Sequence, residues 1–496
     1  MSGRLGAGAL DTLPAGVGRP GYALARGVGI VHLGIGAFHR AHQAVYTDDA
    51  LAAAGGDWAI CGVSRRSRRV ADRLAAQDWL FSVLERGAGG DRVRVIASVR
   101  RALLASEEPA ALRRLIAAPA TRVLTLTVTE AGYRHDSGTG RLRRDDPALA
   151  ADLADASQAR TVLGQIVRGL QKRQQAGSAQ LAVVCCDNLA GNGALVRRLV
   201  MEFCGYLPTG EGERVAGWIG EHVTFPATMV DRIVPATTDA DLAVVRNRLG
   251  VTDRAAVVCE PFRQWVVEDI FPGGRPAWEC GGAILTDDVA PYETLKLRLL
   301  NATHSTLAYL GLLAGCETVA EAMRQDPLAE VLERLAAEEV MPVLDAPPGV
   351  DLAAYCAEVL DRYANPRIVH RLEQIGADGS HKLPQRLLPT VRLLLERGRE
   401  PRWAALTVAA WIRYLRGVRD DGAPLEIRDV LAGVLSARVR RADGPAGIAA
   451  AALSSTEVFG DDLAESPVFR GLVTAWLGQL MADGVVPAVR SALARP

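Results

Sequence analysis

The sequence predicts an α/β protein, with a doubly wound parallel sheet over its first half and a mainly α-helical second domain. Three observations carry that prediction. Short apolar runs alternate with helical stretches as far as about residue 250, and the first of those runs ends in closely spaced glycines. Beyond that point strand-like runs thin out and long helical stretches dominate. A chain of 496 residues also exceeds what one hydrophobic core usually organises. The expected boundary lies between residues 252 and 253, and the Gly/Pro-rich residues 1–26 read as a mobile leader.

Each element has its own warrant. "VGIVHLGIG" is a short apolar run closing on glycines, and "AHQAVYTDDALAAAG" follows with helical character and a terminal glycine stop. "WAICGVS" arrives where a second parallel strand belongs. "RVLTLTVTE" and "AQLAVVCCDN" read as further strands buried on both faces, because their apolar residues run on without alternating. "ALRRLIAAPA" and "ARTVLGQIVRGLQKRQQAG" between them have helical periodicity. In the second half, "YETLKLRLLNATHSTLAYLGLLAG" and "RWAALTVAAWIRYLRG" are long helices.

Within "GIGAFHR", Gly34 and Gly36 take the first two places of a dinucleotide fingerprint, where a missing side chain permits the tight turn and the approach of a pyrophosphate. The third place is His39, so helix and strand must pack differently there. Strand, helix and strand around the turn make it a Rossmann-type nucleotide site, with Phe38 and Arg40 on the helix behind the glycines. That fold also expects an acid closing the second strand, to hold the ribose hydroxyls. "GVSRRSRRV" supplies Ser64, Arg65, Arg66, Arg68 and Arg69 instead. Arginine there accommodates the 2′-phosphate of NADP, but it is abundant in this chain and a solvated basic loop is the ordinary reading. NAD versus NADP stays open.

Composition excludes several classes of function. The 57 acids balance 57 bases, so no electrostatic reason exists to bind nucleic acid or an acidic membrane surface. No apolar run approaches the ~20 residues that span a bilayer. The eight cysteines lack the paired close spacing of a zinc or thiol-exchange site, and read as buried thiols in a reducing, cytoplasmic compartment. Oligomeric state cannot be read from the helical stretches.

Among 57 Lys and Arg residues only Lys172, Lys296 and Lys382 are lysines. Unlike arginine, a lysine can give up its charge when its surroundings oppose it, so Lys296 in "LKLRLLNATHS" is a candidate base. On an α-helix advancing 100° per residue, Glu293 lies at about 60° from Lys296, His304 at about 80° and Asn301 at about 140°. An uncharged lysine, a carboxylate that passes protons, an amide donor and an imidazole on one side suit metal-free proton removal from a secondary alcohol. A second amide, Asn188, follows an apolar run at the carboxyl end of a strand, where it could also serve as a helix N-cap.

The combination of "GIGAFHRAHQAVYTDD", "CCDNLAGNG", "FPATMVDRIVP", "EPFRQWVVEDIF" and Lys-x-x-x-x-Asn-x-x-His resembles the mannitol dehydrogenase family of polyol-specific long-chain dehydrogenases, over roughly residues 28 to 490. The resemblance implies an N-terminal Rossmann-type domain, a mainly helical C-terminal domain, NAD(H) or sometimes NADP(H), and no catalytic metal. It places the catalytic lysine on Lys296, the oxyanion-hole asparagines on Asn188 and Asn301, a substrate-binding histidine on His304 and a proton-path glutamate on Glu293. Asp231 and Lys382 fall on substrate-facing positions. Two departures, His381 and Ala131, bear on substrate preference and leave the catalytic set intact.

The reading is interconversion of a sugar alcohol and a ketose, of the mannitol/fructose type. The alternatives are a hexuronate reductase, whose substrate carboxylate could use Arg367, His370, His381 and Lys382, and a mannitol 1-phosphate dehydrogenase. A non-catalytic dinucleotide sensor would keep the glycine turn without needing Lys296, Asn301 and His304 together.

Overall fold

A computed structural model describes residues 3–65, 67–136 and 139–494, in two compact units that divide between Ala290 and Pro291. In the first unit six strands form a parallel sheet. They are β1 (Val28–Leu33), β2 (Ala59–Ser64), β5 (Val99–Leu104), β6 (Val123–Leu126), β7 (Leu181–Cys185) and β8 (Val223–Thr224), in the order β5-β2-β1-β6-β7-β8. Every neighbouring pair is parallel. β6 and β7 are buried along their whole length, as continuous apolar runs covered by helices on both faces should be. Strand order reverses between β1 and β6, which opens a crevice at their carboxyl ends. The doubly wound sheet is as expected, and the strand at "WAICGVS" begins one residue in, at Ala59.

Two smaller three-stranded sheets complete the unit. The hairpin of β3 (Phe81–Gly87) and β4 (Gly90–Ile96) takes β10 (Val257–Cys259) beside β3. The second sheet sets β11 (Gln264–Glu268) between β9 (Thr228–Asp231) and β12 (Ile284–Thr286). These additions correct the expected boundary at 252/253: β10 to β12 lie after it, yet complete sheets begun by strands before it. The unit therefore continues to Ala290.

The expected mobile leader is also corrected. The Leu5 amide bonds to the Thr252 carbonyl at 2.9 Å, and the Thr252 amide returns a bond to Gly3 at 2.8 Å. Leu5 and Leu13 are buried among Leu80, Leu84, Val93, Val245 and Leu249. Burial of a leucine contributes about 1.5–3 kcal/mol, enough to hold a segment whose composition alone reads as loop.

The second unit is helical around one large core that includes Leu307, Leu310, Trp403, Trp411, Phe459 and Phe469. The run from Ala290 is not a single α-helix. It is α over Ala290–Leu295, π over Lys296–Asn301 and α again over Ala302–Leu313, and every residue of the last stretch is buried. A second π-turn spans Leu335–Val340. From it the buried Glu339 accepts the amides of Trp403 (2.6 Å) and Ala404 (2.9 Å), at the start of the helix Arg402–Tyr414. These are amides that a helix cannot satisfy internally.

Among the described residues no helix is long and apolar enough to cross a membrane, and no group of three or more His, Cys, Asp or Glu is placed to hold a metal ion. None of the eight cysteines forms a disulfide. Seven are buried and Cys280 is exposed, against the expectation that all would be.

Candidate active site

The nucleotide half is built on the crevice of the first unit. β1 ends at Leu33, and Gly34 follows with φ +108°, where a Cβ would lie 2.0 Å from the Thr127 carbonyl oxygen. Only glycine makes this turn. Gly36 is exposed, and a Cβ there would meet nothing nearer than 3.8 Å, so backbone at the mouth of the crevice is open to a ligand. It leads into α1 (Ala37–Ala41), whose first-turn amides lack intrahelical acceptors, and then α2 (Gln43–Ala54). An open backbone approach beside such amides fits a dinucleotide pyrophosphate.

In place of the third glycine, His39 stacks on His32 with ring centroids 3.3 Å apart. The β1 imidazole of His32 is held by Thr125 Oγ1 at 2.7 Å and Thr127 Oγ1 at 2.8 Å. Two flat rings thus supply the close helix–strand packing that the missing glycine would allow. Burial pushes His32 down to about 3 and His39 well below its usual range, so both rings are neutral. Phe38 stacks on His42 at 5.0 Å. Arg40 is buried and tied to backbone, with Nη1 on the Ala255 carbonyl and Nε on the Gly36 carbonyl at 3.3 Å.

At the end of β2, Ser64 Oγ donates to the Ser67 carbonyl at 2.6 Å. Arg65 lies against Gly132, and its charge acts on Asp187. Arg68 is paired with Glu107 at 2.6 Å, both exposed, and Arg66 lies outside the described residues. Asp187 just past β7 accepts Tyr133 Oη at 2.6 Å and the amides of Val128 and Thr129 at 2.9 and 3.0 Å, while burial raises its pKa. Asn188, next in the chain, is exposed and is not a helix N-cap, since Gly191 takes that position for the helix Asn192–Gly205. Asn192 is the residue the sequence did not single out. Its amide nitrogen donates to Thr228 O at 2.9 Å and its oxygen accepts from Thr228 N at 3.0 Å, locking β9 to the turn after β7. Asp231, buried, closes β9 opposite Gln264.

The second unit carries Lys296, Asn301 and His304, all buried, and the half-buried Glu293. The 100° arithmetic fails across Lys296–Asn301 because hydrogen bonding there runs from i to i+5. A turn of that period brings residues five apart nearer one face than the α-helical offset of about 140°. Its loosened carbonyls find side-chain donors: Thr303 Oγ1 serves Leu299 O at 2.7 Å, and Tyr363 Oη serves Leu300 O at 2.6 Å.

Tyr363 in turn stacks on His304, with ring centroids 4.7 Å apart, and His370 meets His304 edge-on at 4.8 Å. Asn301 Nδ2 and His304 Nε2 are buried without a hydrogen-bond partner among the described residues. Burial lowers the His304 pKa well below its usual range, and His370, Arg386, Arg362 and Lys382 push in the same direction. Arg386 Nη1 bonds to Ser305 Oγ at 3.1 Å, and Lys382 Nζ to the Ile375 carbonyl at 3.2 Å. Of the four cations proposed for a substrate carboxylate, His370 and Lys382 thus act on His304, whereas Arg367 and His381 are exposed. Arg362 and Arg386 complete the set. In so arginine-rich a chain nothing in the sequence marked them.

Comparison with known proteins agrees with both halves. Residues 28–280 match the mannitol dehydrogenase Rossmann domain and residues 288–481 the mannitol dehydrogenase C-terminal domain. The chain is 40% identical to the D-mannonate oxidoreductase of Escherichia coli, covering 92% of this chain and 93% of that one. It is 37% identical to a mannitol 2-dehydrogenase of Aspergillus fumigatus, covering 94% of each. Among solved structures, the Pseudomonas fluorescens mannitol 2-dehydrogenase in ternary complex with NAD and D-mannitol superposes with a TM-score of 0.86 at 40% identity, covering 99% of this chain and all of that one. A glycine turn that only glycine can make, a lysine-bearing π-turn and matches along nearly the whole length lead to one conclusion: the chain belongs to the mannitol dehydrogenase family of oxidoreductases.

Proposed function

We propose that the protein moves hydride between NAD(H) and a secondary alcohol carbon of an open-chain sugar derivative, with Lys296 taking or returning the hydroxyl proton. The observation that carries this reading is the pair of buried, unpartnered groups beside the lysine in sequence, Asn301 Nδ2 and His304 Nε2. A buried polar group without a partner costs about 1–3 kcal/mol, and a substrate oxygen would relieve both. When bound, the nicotinamide supplies the hydride acceptor or donor. Asn301 steadies the negative charge that develops on oxygen as the proton leaves. Neutral His304 orients a substrate hydroxyl, and Glu293 passes the proton to solvent. For Asn188 and Asp231 the proposed roles are the second alkoxide donor and a substrate contact, as the family resemblance implies. Because oxidation uses the free amine, its rate falls as pH drops, while ketone reduction favours the ammonium form.

The substrate class follows from charge. The sequence places a polyol or ketose first and a hexuronate second, and the surroundings of His304 favour the second. Arg386, Arg362 and Lys382 are basic groups whose charges act on it, while burial holds the neighbouring His370 neutral. A substrate carboxylate would be stabilised there by charge-assisted hydrogen bonds, which a neutral polyol cannot form as strongly. The likeness to a D-mannonate oxidoreductase supports the same reading. The test compares fructuronate and fructose as substrates, with NADH and then NADPH. We expect kcat/KM for fructuronate to exceed that for fructose by at least 100-fold. A preference for fructose rejects the uronate reading, and no turnover of either rejects Lys296 as a working base.

A further inference from the structure

A second cationic cluster lies in the first unit. Arg40 of α1, Arg73 of α3 (Arg69–Ala75) and Arg254, on the loop before β10, line one cavity of about 200 Å³. No carboxylate lines it, and its remaining walls are small or apolar apart from Thr237. Arg40 forms part of the wall with its guanidinium buried and oriented by the Ala255 and Gly36 carbonyls. Arg73 and Arg254 are exposed, and among the described residues neither is in a salt bridge. The acid nearest in effect, Asp253, is committed elsewhere: its oxygens accept Gln77 Nε2 at 2.7 Å, the Ala255 amide at 2.7 Å and the Ser82 amide and hydroxyl at 2.6 Å. The charge of Arg73 adds to the burial that depresses the Arg40 pKa to about 10. The charge of Asp253 acts on Arg40 from outside the cavity, but no carboxylate lines the cavity to answer Arg73 and Arg254, and gathering like charge there carries a cost that a bound anion offsets.

We infer that this cavity is a binding site for a phosphate monoester, held by Arg40, Arg73 and Arg254. Guanidinium forks match phosphate oxygens in pairs. The volume is below the ~300–1,000 Å³ of whole-ligand pockets, so the cavity takes a charged group and not a complete nucleotide. Ala37 opens α1 directly after the glycine turn and Val70 lies in the first turn of α3, which follows the loop after β2, so the phosphate comes from one of two sources. One is the 2′-phosphate of NADP, an arm that rests on the coenzyme reading above. The other is a separate phosphate, which rests on the first unit alone.

Calorimetric titration of the full chain separates the two, using the wild type and the Arg73→Ala/Arg254→Ala double variant with NAD, NADP and, on protein saturated with NAD, inorganic phosphate. A loss of at least fivefold in NADP affinity with NAD unchanged assigns the site to the 2′-phosphate. A loss of at least fivefold in phosphate affinity with NAD bound assigns it to a separate ligand. Losses below fivefold for both, or a wild type that binds neither, overturn the proposal. Arg73→Lys/Arg254→Lys guards against a folding defect: it keeps the charge and is expected to retain at least half of whichever affinity the alanines remove.

Discussion

At the scale of the residue, catalysis is proposed to rest on one amine among few. Lys296→Ala is expected to lower kcat by about 10²–10⁴-fold, the usual contribution of a positioned acid or base, while NAD affinity changes less than twofold. Steady-state kinetics with coenzyme titration checks both, and a loss under tenfold rejects the role. Arg386→Met is the matching test of substrate charge, since Arg386 acts on His304 and reaches Ser305. It should raise KM for a uronate by at least tenfold and leave KM for a neutral ketose within threefold. Lys296, Asn301 and His304 were legible because a lysine is conspicuous where nearly every other base is arginine. Arg362 and Arg386 were illegible for the converse reason, and Asn192 because an asparagine after a strand has many ordinary uses.

Secondary-structure elements show a similar division. β1, β2, β6 and β7 stood out as unbroken apolar runs, the mark of strands covered on both faces. The β3–β4 hairpin and β9, β11 and β12 did not, since they are short or interrupted by charge. The docked leader was missed because isolated leucines, and no periodicity, hold it. Gly34 was legible as a turn, and its steric reason gives a prediction. Gly34→Ala places a methyl against the Thr127 carbonyl at positive φ, and is expected to cost at least about 3 kcal/mol by denaturant unfolding and to weaken NAD binding.

Glu339 gives a second prediction for an element. Burial raises its pKa from about 4.5 to about 7 despite two amide donors, so the folded state binds its proton more tightly than the unfolded one. Its contribution therefore weakens as pH rises from about 4.5 to about 7. Relative to wild type, Glu339→Gln should melt at progressively higher temperature across that window, and a pH-independent Tm difference would exclude the effect.

For the whole molecule, five histidines are held neutral by burial across both units. His32 and His42 are pushed down to about 3, His370 to about 4, and His39 and His304 well below their usual range. In each case the unfolded chain takes up protons first, near pH 6.5, so stability is fully present above that value and is lost as pH falls below it. Thermal melts from pH 7 to pH 4 should show Tm falling with acidification, with a shallower slope for His32→Asn/His370→Asn. A flat profile would contradict the burial of these rings as neutral groups.

The π-turn at Lys296–Asn301 has an evolutionary corollary. A π-turn amounts to one surplus residue in an otherwise α-helical run. Excising Leu297 should restore ordinary periodicity and regain regular backbone bonding, but it would swing the preceding amine by roughly 100° relative to Asn301 and His304. The shortened enzyme is expected to melt no lower than its parent and to turn over nothing, and that pair of outcomes would mark the extra residue as held for chemistry at no gain in stability.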